Sequence, residues 1–321
     1  MACLEGRIPG AAFGIVTREG TRAVRVTGFA QIEPDPVPLT REMWFDLASL
    51  TKVIFTTQKI MSLCEAGKIA LDDPLVRHIP DLRQYDSAAT ERALTIRQLL
   101  AHQTHLPAVE PLYTLGQDPE TLRAYVLQRI WKMGPPVYSD INYILLGILI
   151  ERVTGQLLAE QGLAQGLSFF PPPDQSVATE RCAWRGRVMR GEVHDENAFA
   201  LGGPAGHAGL FGTVDGVLDY ASDLLQGGGL LPQTLATLIT PVAGNRALGW
   251  EVFEAGWHGG AGHSAQTIGH LGFTGTGLWL DFEREIAWTL LTNRVHPSRH
   301  TDTGIMALRR ATGSLVGSLS G

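Results

Sequence analysis

Ser49-Leu50-Thr51-Lys52 sets a hydroxyl and an amine three residues apart. On a helix that spacing puts both side chains on one face, within reach of each other. A serine hydroxyl is a weak nucleophile until a neighbouring base takes its proton. A lysine desolvated among apolar groups has its pKa lowered towards that task. The flanks, Trp44-Phe45-Asp46-Leu47-Ala48 before and Val53-Ile54-Phe55 after, are largely apolar and predict that Lys52 is partly buried. Ser49 at the helix start also meets the positive end of the helix dipole. The plainer reading makes Ser49 an ordinary N-cap and Lys52 a surface cation. Composition weighs against it: of the 26 basic residues only Lys52, Lys59, Lys68 and Lys132 are lysine, and Lys52 alone has a serine three places before it. Where charge alone suffices the chain uses arginine, which cannot give up its proton.

Tyr138-Ser139-Asp140 follows the turn-forming Gly134-Pro135-Pro136 and precedes an apolar run. A tyrosine held at a helix entrance beside a cation can carry a proton; equally, Asp140 caps the helix and Tyr138 packs. His270-Leu271-Gly272-Phe273-Thr274-Gly275-Thr276-Gly277 is strand-like, and glycine inside a strand usually marks close approach of a ligand or another backbone. A strand edge stripped of side chains offers N–H donors to an oxyanion. The alternative is a bulged strand with a surface histidine.

The elements that must hold these residues are legible in outline. Ala11–Thr17 and Arg22–Gly28 read as a hairpin. Ser49–Ala66 reads as a buried helix ended by Gly67. The chain from Leu71 to Leu167 is helical and loop-rich, with a short helix in TIRQLLAHQTHLP and a buried one in INYILLGILIERVTG. Phe170–Gly209 reads as a long loop region near a site. Strands return at Ala247–Phe253, Thr267–Asp281 and Ile286–Val295, and a helix closes the chain over Thr303–Leu319. Strands at both ends predict one sheet built from both termini, with helices inserted between. Hence one catalytic unit is expected: an α/β part over about 1–70 and 210–321, and a helical part over about 71–209.

Net charge of -6 argues against nucleic acid. No apolar run approaches the roughly 20 residues of a membrane helix. The start carries no basic n-region, so no signal peptide is expected and the chain reads as cytoplasmic, or periplasmic if a leader was removed. Cys3, Cys64 and Cys182 lack C-x-x-C spacing and read as free thiols. His102 and His105 lack partners spaced to complete a metal site, so neither metal nor cofactor is expected. His194-Asp195-Glu196-Asn197 could touch substrate or a metal, but reads better as satisfying backbone groups of an irregular segment. His207 reads as a loop histidine held by backbone.

In order, the three chemical segments resemble the S-x-x-K, Y-x-N and K-T-G or H-x-G motifs of the serine β-lactamase and penicillin-binding protein superfamily, nearest to the class C branch with its DD-peptidases and esterases. Supporting stretches such as GKIALDDPL, YSDINYILLG and LLTNRVHP extend the resemblance over most of the chain. It implies an antiparallel sheet flanked by helices, with a helical insertion and the site in the cleft. It implies Ser49 as the acylated nucleophile, Lys52 as its base and Tyr138 as proton shuttle. His270 then stands in the place of the K-T-G lysine, Gly272 and Asp140 border the substrate, and the N–H groups of Ser49 and Phe273 form the oxyanion hole. Asp140 stands where asparagine is usual, and no lysine follows Lys132. The expected activity is therefore a serine hydrolase acting on an acyl substrate, small or peptide-like, as a monomer or weak homo-oligomer. Esterase or DD-peptidase-like action is favoured over an efficient β-lactamase; the competing class is a penicillin-recognising sensor with little turnover. Substrates with a carboxylate beside the scissile bond are expected to fare poorly at neutral pH and to improve as His270 charges, with Arg294 partly compensating.

Overall fold

The computed structural model describes residues 7–116 and 118–319. The N-terminal hairpin forms: β1 (Gly10–Thr17) pairs antiparallel with β2 (Arg22–Gln31), and β3 (Val37–Pro38) adds at its outer edge. The last quarter of the chain supplies β4 (Glu251–Val252), β5 (Thr267–Leu271), β6 (Gly277–Asp281) and β7 (Ile286–Thr292). They join one antiparallel sheet in the order β3-β2-β1-β7-β6-β5-β4. The two ends of the chain meet where β1 pairs with β7, from Ala11 opposite Thr292 to Thr17 opposite Ile286.

Four helices matter most to the site: α1 (Gln58–Glu65), α2 (Asp140–Thr154), α3 (Val214–Leu225) and α4 (Ile305–Ser318). Side chains alternate across a strand, so β1 sends Ala12 and Val16 into the larger core and Ala11, Phe13 and Ile15 to the opposite face. The larger core also holds Leu218 and Leu224 of α3 and most of α2. The other face is closed by α4 over Trp257, Trp279 and Trp288. Trp279 and Trp288 face each other across β6 and β7 with stacked rings 5.7 Å apart. The expected antiparallel sheet flanked by helices is thus present.

Four boundaries differ from the sequence reading. Thr267–Asp281 is not one strand, because a turn over Gly272–Thr276 separates β5 from β6. Phe170–Gly209 is not structureless: it holds a hairpin of Ala178–Cys182 and Arg187–Arg190 and a short helix, Glu196–Ala200. The helix in TIRQLLAHQTHLP covers only Ile96–Leu100, and His102 just beyond adopts φ 56°. Strand Ala247–Phe253 shrinks to Glu251–Val252, since the segment before it turns back on itself through the Ala247 N–H to Trp250 O bond. Cys64 and Cys182 are free thiols, whereas Cys3 lies outside the described residues. Among the described residues no helix is long and apolar enough to cross a membrane.

Candidate active site

Ser49 sits on a tight turn at the mouth of a helix. Ala48 before it takes φ 48°, a left-handed conformation costly for a residue with a Cβ. Asp46 holds that turn: its Oδ1 accepts from the Ala48 N–H at 2.8 Å and its Oδ2 from the His194 N–H at 2.6 Å. Thr51 Oγ donates to Ala48 O at 2.6 Å. The helix then opens into a wide π turn, Lys52–Thr57, before tightening into α1. The sequence predicts one regular helix here; such π turns concentrate at functional sites.

Lys52 is fully buried, and its Nζ donates to Ser49 Oγ at 2.9 Å and to His207 O at 3.1 Å. The same Nζ pairs with Asp140 Oδ1 at 2.7 Å and lies 5.0 Å from the Tyr138 ring centre. Burial pulls the lysine's pKa down, but the charge of Asp140, with Tyr138 adding to it, overrides burial and holds it above the usual value. The expectation of a lowered pKa is therefore reversed, and the cause is Asp140. That carboxylate is free to face Lys52 because Ser139, not Asp140, caps α2 by accepting from the Asn142 N–H.

Tyr138 stands between two histidines, its ring 4.4 Å from His102 and 5.9 Å from His270, with the Arg246 guanidinium 5.4 Å from its centre. His102 Nδ1 accepts from the Ser139 N–H at 3.0 Å; burial first, then the Lys52 charge, keep this histidine neutral, its pKa well below the ordinary value. His270 lies in β5 opposite Leu278. Its Nδ1 donates to Leu271 O at 2.9 Å, leaving Nε2 a buried acceptor without a partner among the described residues. Burial, then the Lys52 charge, push its pKa down to about 3. His270 therefore stays neutral between pH 5.5 and 8.5, and the expectation that it charges as pH falls is withdrawn.

Phe273 lies in the turn between β5 and β6, not within a strand. Its N–H and that of Ser49 bond to no described residue. The turn is closed by Gly272 N–H to Thr276 O at 2.9 Å and tied to the nucleophile's own segment by Thr274 Oγ to Asp46 O (2.7 Å) and Thr276 Oγ to Leu47 O (3.0 Å). From α4, Arg309 Nη2 donates to both Gly272 O (2.9 Å) and Thr276 O (2.6 Å). Gly269 and Gly277 have another cause than a ligand: a Cβ at either would come within 2.2 or 2.4 Å of the Trp279 ring.

Two lobes open on either side of Ser49, Tyr138 and Phe273. One, about 490 Å³, is walled by Arg246, Glu251, His270, Gly272, Arg294 and Arg309. The other, about 290 Å³, is walled by Asp140, Asp195, His207 and Arg299. Sequence reasoning missed the part played by His207: its carbonyl takes Lys52, and its Nε2 meets Asp195 Oδ1 at 2.9 Å, so a carboxylate rather than backbone holds the ring. The signal was Gly206, where a Cβ would strike Tyr143 O at 2.0 Å; only a bare backbone lets this loop press onto α2. His194 and Asn197 do satisfy structural partners, through Glu180 and Glu110 O. Asp195 caps the short helix after it and also borders the smaller lobe. Arg246, paired with Glu251 at 2.7 Å, carried no local signal.

An antiparallel sheet joined by both chain ends, with a serine and a buried lysine in the cleft beside it, defines the class of serine hydrolases that recognise penicillins. The chain belongs to the beta-lactamase family, whose model matches residues 1–311. It is 30% identical over 333 residues to a protein of Escherichia coli strain K12 provisionally named a D-alanyl-D-alanine carboxypeptidase, covering 88% of this chain and 76% of that one. Among solved structures it is similar to simvastatin synthase (LovD) from Aspergillus terreus, with a TM-score of 0.75, 19% identity, and 99% and 96% of the two chains covered. A class C beta lactamase from Rhodobacter sphaeroides aligns with a TM-score of 0.73 at 18% identity, over 99% and 97%.

Proposed function

We propose that this serine hydrolase works through an acyl-enzyme on Ser49 and cleaves a peptide-like amide or an ester in preference to acting as an efficient β-lactamase. The observation that carries it is the 2.9 Å contact of Lys52 Nζ with Ser49 Oγ, beside two backbone N–H groups left without partners. Ser49 Oγ bonds to the acyl carbon as its proton passes to Lys52 in its neutral form. The carbonyl electrons move to the oxygen, which the Ser49 and Phe273 N–H groups stabilise. Collapse of that intermediate breaks the bond to the leaving group, which takes a proton by way of Tyr138. Water then repeats the attack, releasing the acid and restoring Ser49. The name of the Escherichia coli relative supports the peptidase branch of this reading.

The test is Ser49→Ala with p-nitrophenyl butyrate and an N-acyl-D-alanyl-D-alanine peptide. Turnover of both should fall by several orders of magnitude with the fold intact. Intact-mass and peptide analysis after a fluorophosphonate should put the adduct on Ser49. An adduct on another serine sinks the assignment, and acylation without turnover returns the protein to the sensor class.

A further inference from the structure

Lys52 Nζ has three oxygens within reach: Asp140 Oδ1 at 2.7 Å, Ser49 Oγ at 2.9 Å and His207 O at 3.1 Å. The protonated amine carries three N–H groups and satisfies all of them. The base, however, is the neutral amine, with two N–H groups and one lone pair. A carboxylate and a peptide carbonyl can only accept. Asp140 and His207 therefore claim both N–H groups, and the lone pair is left to Ser49, the one neighbour with a proton to give. Without His207 O the second N–H is free to turn to Ser49 Oγ, and the lone pair then points where no proton is. The carbonyl decides which way the base faces.

That carbonyl belongs to an irregular segment between the short helix Glu196–Ala200 and the strand Phe211–Gly212. The segment is fastened on either side of it. Thr56 Oγ donates to Gly206 O at 2.6 Å, and the Leu210 N–H donates to Thr51 Oγ at 3.1 Å. Between those two ties stand His207, Ala208 and Gly209, and only His207 has a polar side chain. Its ring is buried, 1% exposed, and its Nε2–H donates to Asp195 Oδ1 at 2.9 Å. Asp195 is fixed in turn, because the same Oδ1 accepts from the Ala198 N–H at 2.8 Å as the cap of the short helix. Burial would raise the pKa of this carboxyl, but His207 beside it, the Ala198 N–H and the charge of Lys52 hold it below the usual range. It is thus a standing acceptor, and its Oδ2 has no partner among the described residues.

We propose that Asp195 and His207 are positioning residues for the Ser49 attack: Asp195 pins the His207 ring, the ring holds its own peptide, and the carbonyl of that peptide turns the lone pair of neutral Lys52 onto the Ser49 hydroxyl. As Ser49 Oγ bonds to the acyl carbon, its proton passes to that lone pair, and Lys52 becomes the ammonium that its surroundings already match. The inference rests on the acyl-serine function proposed above and adds two residues that act through Lys52.

Fluorophosphonate labelling reads the Ser49 attack alone, and p-nitrophenyl butyrate reads the whole cycle. His207→Leu fills much of the same space and keeps the Asp195 cap, but cannot be pinned. Asp195→Ala removes pin and cap together. Asp195→Asn removes the same charge as Asp195→Ala, yet keeps an amide oxygen for both N–H groups. The labelling rate and kcat should fall roughly tenfold or more in His207→Leu and Asp195→Ala, with KM little changed, since small misplacements of a reacting group are costly. Asp195→Asn should recover most of that loss. An asparagine variant as slow as the alanine one would assign the effect to charge and overturn the pin. Labelling of His207→Leu at the unaltered rate overturns it too, even if thermal unfolding shows a loss of stability. Should Asp195→Ala fail to fold, the contrast between Asp195→Asn and His207→Leu decides. No labelling of Ser49 in the unaltered protein would bring down the acyl-serine reading first, and the positioning pair with it.

Discussion

At Lys52 burial and charge pull in opposite directions. Buried alone, it would give up its proton readily; with Asp140 at 2.7 Å it holds that proton above the ordinary lysine value. The neutral form that accepts the Ser49 proton therefore grows as pH rises, and kcat/KM should climb with pH through the neutral range. Asp140→Asn removes the charge that raises the pKa and leaves burial to lower it. The ascending limb of the pH profile should move to lower pH by roughly one to three units, the usual effect of an opposite charge at this range. An unmoved limb would show that Lys52 is not the base. Lys52→Arg keeps the charge but cannot accept a proton, so it should lose about as much as Lys52→Ala, roughly 10²–10⁴ in kcat. Substantial activity in the arginine variant would reduce Lys52 to electrostatic support. The serine and lysine were legible because their geometry is local, three residues apart across one helix mouth. The sign of the lysine's pKa was not, because it is set by a carboxylate from another helix and by a cap that falls on Ser139 instead.

At the scale of elements, the turn carrying Phe273 is bolted to the turn carrying Ser49. Thr274 and Thr276 reach Asp46 O and Leu47 O, and Arg309 clamps both ends of the turn from α4. Glycine marks this segment in the sequence, but its glycines serve different masters. Gly269 and Gly277 clear space for Trp279, whereas a Cβ on Gly272 would fall 1.9 Å from Thr276 Oγ and 2.5 Å from Leu47 O. Periodicity could not separate these causes, since cross-strand and cross-turn neighbours are invisible to it. Gly272→Ala should push the turn away from Leu47, costing about 1–3 kcal/mol as overpacking does. It should also misplace the Phe273 N–H, lowering kcat roughly 10²-fold with KM less affected. Thermal unfolding and steady-state kinetics measure the two effects, and an unchanged kcat would remove this turn from the oxyanion hole.

Across the whole molecule, the sheet built from both ends of the chain was legible because half-buried strands alternate and their runs are bounded by turn residues. The hairpin and short helix within Phe170–Gly209 were not, because much of their hold comes from distant groups, Asp46 on His194 and Arg299 on Glu180 and Glu196, rather than from their own pattern. The same folding buries several histidines in neutral form, which makes acid the global weakness of the protein. Burial is the leading cause of the lowered pKa of His102, His263, His270 and His296, and His270 falls to about 3. In the unfolded chain each takes up a proton near 6.5. Below that pH the unfolded state binds more protons than the native one, so stability present above 6.5 is lost as pH falls. His102 and His270, whose pKa values fall furthest, should each cost about 1.4 kcal/mol per pH unit there. Asp46 opposes this, since burial raises its pKa, but it is one group against several. Glu180 and Glu251, both held at about 2, extend the loss below pH 4.5. Urea unfolding at pH 7, 6 and 5 should show a midpoint that drops steadily, and His270→Gln should flatten the dependence of unfolding free energy on pH by about 1.4 kcal/mol per unit. A midpoint constant from pH 7 to 5 would mean that these histidines can charge without leaving the fold, and that the cleft around His270 admits far more water than its burial implies.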